Sequence, residues 1–233
     1  MPSLELISFR LCPFVQRAMI LLIHKEIEHT MTFVDLGDPP DWFREVSPRG
    51  KVPVLRVDDE VSIFESAVIS EYLDEVTPPP LMPANPLTRA ANRSWIDYAT
   101  TALTPLRDLT TVETAAALQT VAADFQTKLD PLDEALGNGP YFNGTDFSLV
   151  DATYAPLFVR LDYFDSYLDD LTPSDRFPKL ATWRSTLTSL PAVRNTIGDD
   201  FTARMDELVA KRQGHLATLL PDDVKTTGPR RDY

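Results

Sequence analysis

Cys12-Pro13-Phe14 stands between a stretch that reads as a strand and one that reads as a helix. A helix start leaves free backbone N–H groups and the positive end of the macrodipole, and both favour an anion. A thiol held there is expected to acidify, and its thiolate is the nucleophile of thiol–disulfide exchange. A lone cysteine is more often an inert core residue. The strand–Cys–Pro–helix context points instead to a reactive thiol.

Two further segments can bind rather than react. In Gly50-Lys51-Val52-Pro53-Val54-Leu55, a proline opens an expected strand although it donates no ladder hydrogen bond. A cis Val52–Pro53 bond would turn the Val52 N–H and C=O outward, where a peptide could lie against them like an extra strand. An ordinary trans proline on an edge strand is the plainer reading. In Phe64-Glu65-Ser66-Ala67, a strand gives way to a helix. Ser66 is a fitting cap, and its N–H and hydroxyl can grip a carboxylate while Glu65 accepts from an ammonium. Together they match the two charges of an α-amino acid end; simple capping is again the plainer alternative. Ser148 and Asp151 resemble a capping box and are assigned no chemistry.

The elements that must position these residues follow from the changing period of apolar residues. Leu4 to Phe9 alternates as a strand, Pro13 to Lys25 reads as a helix with proline at its first position, and His29 to Leu36 as a second strand. These lengths make a right-handed βαβ unit. A short helical turn is expected at Asp41 to Val46, then antiparallel strands at Val52 to Val57 and Val61 to Phe64 and a helix at Ser66 to Val76. The β-α-β, β-β-α order is thioredoxin-like. Thr77-Pro78-Pro79-Pro80 breaks the helix. Beyond it strand patterning vanishes, and helices are expected at Leu87–Thr111, Val112–Leu136, Leu149–Tyr167, Phe177–Leu190 and Asp200–Gln213. Pro105 should bend or split the first of these. The expected organisation is an α/β thioredoxin-like domain at 1–77, a linker at 78–86, an all-α helical domain at 87–220 and a surface tail at 221–233.

Of 233 residues, 43% are hydrophobic, enough for a sizeable core in two domains. The 22 Lys and Arg against 35 Asp and Glu give a net charge of -13, which disfavours nucleic acid or an anionic membrane as partner. One cysteine permits no intrachain disulfide, and a reducing, cytoplasmic setting is expected. Met1 to Phe9 lacks the pattern of a secretion leader. His24, His29 and His215 are scattered without partners at ligand spacing, so no metal is expected.

Taken in register, these segments resemble the glutathione transferase superfamily over nearly the whole chain. Cys12-Pro13-Phe14 is similar to the motif of the omega class, whose members carry a catalytic cysteine. Pro39-Pro40-Asp41-Trp42-Phe43, Val52-Pro53-Val54-Leu55, Glu65-Ser66-Ala67 and Glu71-Tyr72-Leu73-Asp74-Glu75 fit the same class. The resemblance implies the glutathione transferase fold, a homodimer, and glutathione as co-substrate. It implies that Cys12 forms a mixed disulfide with glutathione and that Phe14 flanks the tripeptide. It further implies that Val52 pairs with the cysteinyl backbone beside a cis Pro53, that Glu65 and Ser66 hold the γ-glutamyl end, and that Lys51 reaches the glycyl carboxylate. Pro39 stands where some omega proteins carry a glutathione-contacting lysine, leaving Lys51 as the expected local cation.

The activity so implied is that of a thiol transferase or reductase acting on thiol-linked, small hydrophobic or dehydroascorbate-type substrates. A lyase cleaving aromatic glutathione thioethers would use the same thiolate. A non-catalytic binding protein of this fold is the alternative, and Cys12 counts against it. Tyr154, Phe158, Tyr163, Phe164 and Tyr167 are candidates for the second-substrate pocket, though such aromatics are more often core.

Overall fold

Strand β1 (Leu4–Ser8) buries Leu4, Leu6 and Ile7 and occupies an inner position in a four-stranded sheet of order β2-β1-β3-β4. The computed structural model describes residues 2–169, 171–222 and Val224. β2 (Thr30–Phe33) runs parallel to β1, reached through α1 (Pro13–His24), as the βαβ reading requires. After the short α2 (Asp41–Val46), β3 (Val54–Val57) lies antiparallel to β1 and β4 (Val61–Phe64) antiparallel to β3. Between them Asp58 and Asp59 both sit at positive φ, 53° and 58°, the backbone a tight hairpin turn demands. α3 (Ser66–Val76) follows, burying Ile69, Ser70 and Leu73 on its inner face while Ala67 stays partly exposed.

The rest is helical: α4 (Pro86–Asp108), α5 (Ala115–Ala135), α6 (Leu149–Phe164), α7 (Pro178–Ser189), α8 (Pro191–Arg194) and α9 (Phe201–Arg212), with a 3₁₀ turn at His215–Leu219. α4 starts on an Asn85 cap and passes through Pro105 as one undivided helix. α8 and the 3₁₀ turn had no counterpart in the sequence reading. Of the expected tail, residue 223 and residues 225–233 lie outside the described residues.

α6 is the centre of the helical half. Every residue but Asp162 is buried, and the helix packs on α1 and α4. The Ser148–Asp151 capping box is formed: Asp151 accepts from the Ser148 N–H at 2.8 Å and its hydroxyl at 2.6 Å. Asp151 also accepts from the Phe142 N–H at 2.9 Å and the Trp183 indole N–H at 2.6 Å. The segment between α3 and α4 is fastened by a buried Lys25–Asp74 pair at 2.7 Å, with Asp74 accepting from the N–H groups of Leu81 and Met82. α3 and α6 both pack on α1, so both halves of the chain close around that helix, and the cysteine is the residue that precedes it.

Candidate active site

Cys12 is the residue before the first turn of α1, with Pro13 at the helix's first position, and its N–H donates to the Phe9 carbonyl at 3.0 Å. Its thiol donates to the Val52 carbonyl at 3.9 Å. That contact joins the helix start to the loop before β3, where the Val52–Pro53 bond is cis. The strand begins at Val54, so Val52 and Pro53 precede it rather than open it. Among the described residues no protein acceptor pairs with the Val52 N–H. The Ser47 hydroxyl holds the loop, accepting from the Lys51 N–H at 2.9 Å and donating to the Lys51 carbonyl at 2.8 Å.

Two clefts meet here. One, of about 320 Å³, is lined by Phe14, Lys51, Val52, Pro53, Glu65 and Ser66, bringing together every expected binding residue. The other, of about 590 Å³, holds Cys12 and shares Phe14 and Lys51 with the first. Both fall in the size range of small-molecule sites. Among the described residues no cluster of His, Cys, Asp and Glu could hold a metal ion, and no helix is long and apolar enough to cross a membrane.

Four expectations change in detail. Ser66 is not the helix cap: it is the first residue of α3, and the capping position belongs to Glu65, at φ 71° and with no side-chain cap bond. A glutamate at that φ is strained, and such backbone persists mainly where a site requires it. The capping alternative for Ser66 therefore fails, and its hydroxyl is left to face Arg17, which donates to it at 3.4 Å. The Glu65 carboxylate is not free, since Arg49 pairs with it at 2.5 Å on the surface. Nor is Lys51 the only local cation, because Arg17 and Arg49 line the same cleft.

The fourth concerns the thiol. Burial pushes Cys12 up from its ordinary value. The amides of Val15 and Phe14, then Arg160 and Arg17, pull the other way without overcoming it. The helix start does favour the thiolate, as its position suggested, but packing by the helical half takes away more solvation than the amides restore.

Arg17 and Arg160 went unnoticed in the sequence. Arg17 is 3% exposed, donates to the Thr153 carbonyl at 3.2 Å and lies 4.9 Å from the Phe14 ring centre. Its Nη2 is buried with no partner among the described residues. Such an orphan donor is costly, and the cleft it lines offers room for an acceptor. Arg160, 6% exposed, donates to Gln16 Oε1 at 2.8 Å and to the carbonyls of Pro156 and Leu11 at 2.7 and 2.8 Å. Burial lowers both guanidinium groups to about 10, and the nearby Cys12 opposes this in each. Arg17 is the one Lys, Arg, Asp or Glu within α1, and Arg160 the one basic residue of α6, a signal the sequence did carry. Of the five aromatic candidates, Phe164 lines the Cys12 cleft. Tyr154 and Phe158 are core, and the hydroxyls of Tyr163 and Tyr167 are tied to Asp206 at 2.7 and 2.9 Å.

Comparison with known proteins bears on the family and the fold. Family models described as the N-terminal and C-terminal domains of glutathione S-transferase match residues 11–76 and 115–185. The chain is 31% identical to "Glutathione S-transferase omega-1" of Sus scrofa over 189 residues, covering 80% of this chain and 77% of the relative. It is 33% identical over 168 residues to "Probable glutathione S-transferase DHAR1, cytosolic" of Oryza sativa subsp. japonica, covering 69% and 75%. A solved structure of rice GST1 in complex with glutathione superposes with a TM-score of 0.78 at 25% identity, covering 90% of this chain and 97% of that one.

Proposed function

Because the chain belongs to the glutathione S-transferase family, we propose that it is a glutathione-dependent thiol transferase or reductase acting through a Cys12–glutathione mixed disulfide. The observation that carries the reading is the position of the Cys12 thiol, 3.9 Å from the Val52 carbonyl where the two clefts join. Glutathione lies in the smaller cleft in this reading. Its cysteinyl backbone pairs with Val52 beside Pro53, its γ-glutamyl end with Ser66 and Glu65, and its glycyl carboxylate with Lys51, while Phe14 flanks it. Arg17 joins this set, its orphan Nη2 supplying a donor for the γ-glutamyl carboxylate.

The Cys12 thiolate attacks the glutathione sulfur of a mixed disulfide, releasing the other thiolate. Free glutathione then attacks the Cys12–glutathione bond, giving oxidised glutathione and restoring the thiolate. With one cysteine in the chain no second protein thiol can do this. Arg160, held by three bonds beside Leu11, stabilises the negative sulfur in both half-reactions. The lyase reaction on aromatic thioethers uses the same attack. The reading also takes 1–77 as the glutathione-binding domain, 78–86 as linker and 87–220 as the domain building the second-substrate pocket, in a cytoplasmic homodimer.

The deciding experiment is mass spectrometry of the protein after exposure to oxidised glutathione. A single glutathionyl adduct on Cys12, removed by excess glutathione, is expected. Full thiol-transfer activity in Cys12→Ala would overturn the reading.

A further inference from the structure

The larger cleft has a charge character opposite to that of the chain. The protein carries 35 acidic against 22 basic residues, yet Lys51, Arg107, Arg160 and Arg212 all line this cleft and no Asp or Glu does among the described residues. Two of these charges are committed elsewhere: Arg160 spends its donors on Gln16, Pro156 and Leu11, and Lys51 is assigned above to glutathione. Arg107 and Arg212 remain. They come from the last turns of α4 and α9; Arg212 donates to the Thr110 hydroxyl, which itself donates to the main-chain carbonyl of Arg107, and both side chains line the cleft. Neither forms an ion pair among the described residues, and Arg107 is exposed. They stand close enough that Arg107 helps lower Arg212, after burial.

A basic residue in a helix's last turn is favoured by the macrodipole, which accounts for each arginine singly. It does not account for two helices delivering like charges to one cleft wall without a carboxylate between them. Unpaired cations in close approach are stabilised by an anion, and the planar guanidinium suits a carboxylate. Between this edge and the thiol the lining is apolar, including Leu103, Leu106, Phe164 and Leu208.

We propose that Arg107 and Arg212 form a carboxylate-binding edge that selects second substrates with an apolar body attached to sulfur and an anionic far end. The proposal rests on the function given above and names its substrate class. In the first half-reaction, the Cys12 thiolate bonds to the glutathione sulfur, the substrate's S–S bond breaks, and its electron pair leaves on an arylthiolate whose carboxylate stays on the arginines. Glutathione then closes the cycle as described.

The test compares two mixed disulfides of glutathione, one with 4-mercaptobenzoate and one with neutral 4-mercaptobenzamide, in the full-length protein. A preference of about tenfold or more in kcat/KM for the benzoate is expected, the size of one charged hydrogen bond, shrinking as salt rises. In Arg107→Gln/Arg212→Gln the preference should fall to near unity through loss on the benzoate, and in Arg107→Gln alone it should fall part-way. Equal wild-type rates, or a preference that survives the double substitution, would overturn the proposal. So would an equal loss on both substrates with a raised KM for free glutathione, which would assign the arginines to the resolving thiol. Binding of 4-(methylthio)benzoate against its amide, by calorimetry on Cys12→Ser, gives the same comparison without turnover. It separates failure of this selectivity from failure of the thiol-transfer reading, which would show as no adduct on Cys12 with either disulfide.

Discussion

Arg160 donates to the carbonyl of Leu11 at 2.8 Å, so a guanidinium from the centre of the helical half is fixed one residue from the thiol of Cys12. The same guanidinium reaches Gln16 in the next turn of α1. A buried cation is expensive unless something negative shares its surroundings. Among the described residues no salt bridge supplies a carboxylate for Arg160, and a group able to become negative that does act on it is the thiol itself.

The first prediction follows from that pairing. Since burial holds the Cys12 thiol above its ordinary value, the thiol is the resting form at neutral pH in the free protein. A raised value means the proton is kept to higher pH, so alkylation should speed up by about tenfold per pH unit through neutrality and level off only above the ordinary thiol range. Arg160→Met should move that inflection higher still. Stopped-flow alkylation against pH reads both, and an inflection near neutrality in the wild type would show that the amides and arginines outweigh burial.

Arg17→Met and Ser66→Ala should each weaken glutathione binding by roughly tenfold or more, as expected for about 1.5–3 kcal/mol per charged hydrogen bond. Lys51→Ala should also weaken it and should flatten its dependence on salt, since that side chain is exposed. Glu65→Ala should cost less, because Arg49 already occupies the carboxylate at the surface. Calorimetric titration with glutathione checks all four, and affinities unchanged throughout would mean that glutathione binds elsewhere.

Asp151→Ala should destabilise the fold without touching the chemistry directly. It leaves the Trp183 indole N–H and the N–H groups of Phe142 and Ser148 without their acceptor. Buried donors left unpaired cost about 1–3 kcal/mol each, so a total loss of at least about 3 kcal/mol is expected. A denaturation midpoint within experimental error of wild type would contradict this account of the capping box.

Light scattering at low micromolar concentration should give twice 26.2 kDa. Val61, Phe64 and Val68 are exposed apolar residues on β4 and in the first turn of α3, apolar surface that a second copy could use. A monomer at all salt concentrations would remove the dimer from the reading.

Much of the architecture was legible because it rests on local period. Val61–Phe64 and Ser66–Val76 emerge with the bounds the alternation and the helical spacing gave, and the short gap between Val57 and Val61 marked the hairpin. The site was legible where a short motif carries its own geometry, as at Cys12-Pro13-Phe14. It was not legible where geometry depends on distant segments. Arg160 reaches Leu11 across 149 positions, and Arg17 reaches the Thr153 carbonyl across 136. The sign of the thiol's shift depended on the same packing: a helix start can be read from adjacent residues, whereas the loss of water around it is imposed by helices not yet placed. Ser66 shows the converse. Its residue type fits a cap, but the positive φ of Glu65 displaces it by one position, and backbone of that kind leaves no trace in composition.

The bonds from Arg160 to Leu11 and Gln16 also bear on how this chain could be cut and recombined. A fragment ending near Val76 would keep the sheet, the cysteine and the loop of Val52, and by outward inspection would be a whole module. It would nonetheless lose the guanidinium beside its thiol, the Thr153 carbonyl that anchors Arg17, and the helical cover over α1. Grafting that half onto an unrelated helical partner should therefore yield a protein that retains a cysteine but changes its acidity, so that reactivity is a property of the join and not of either piece.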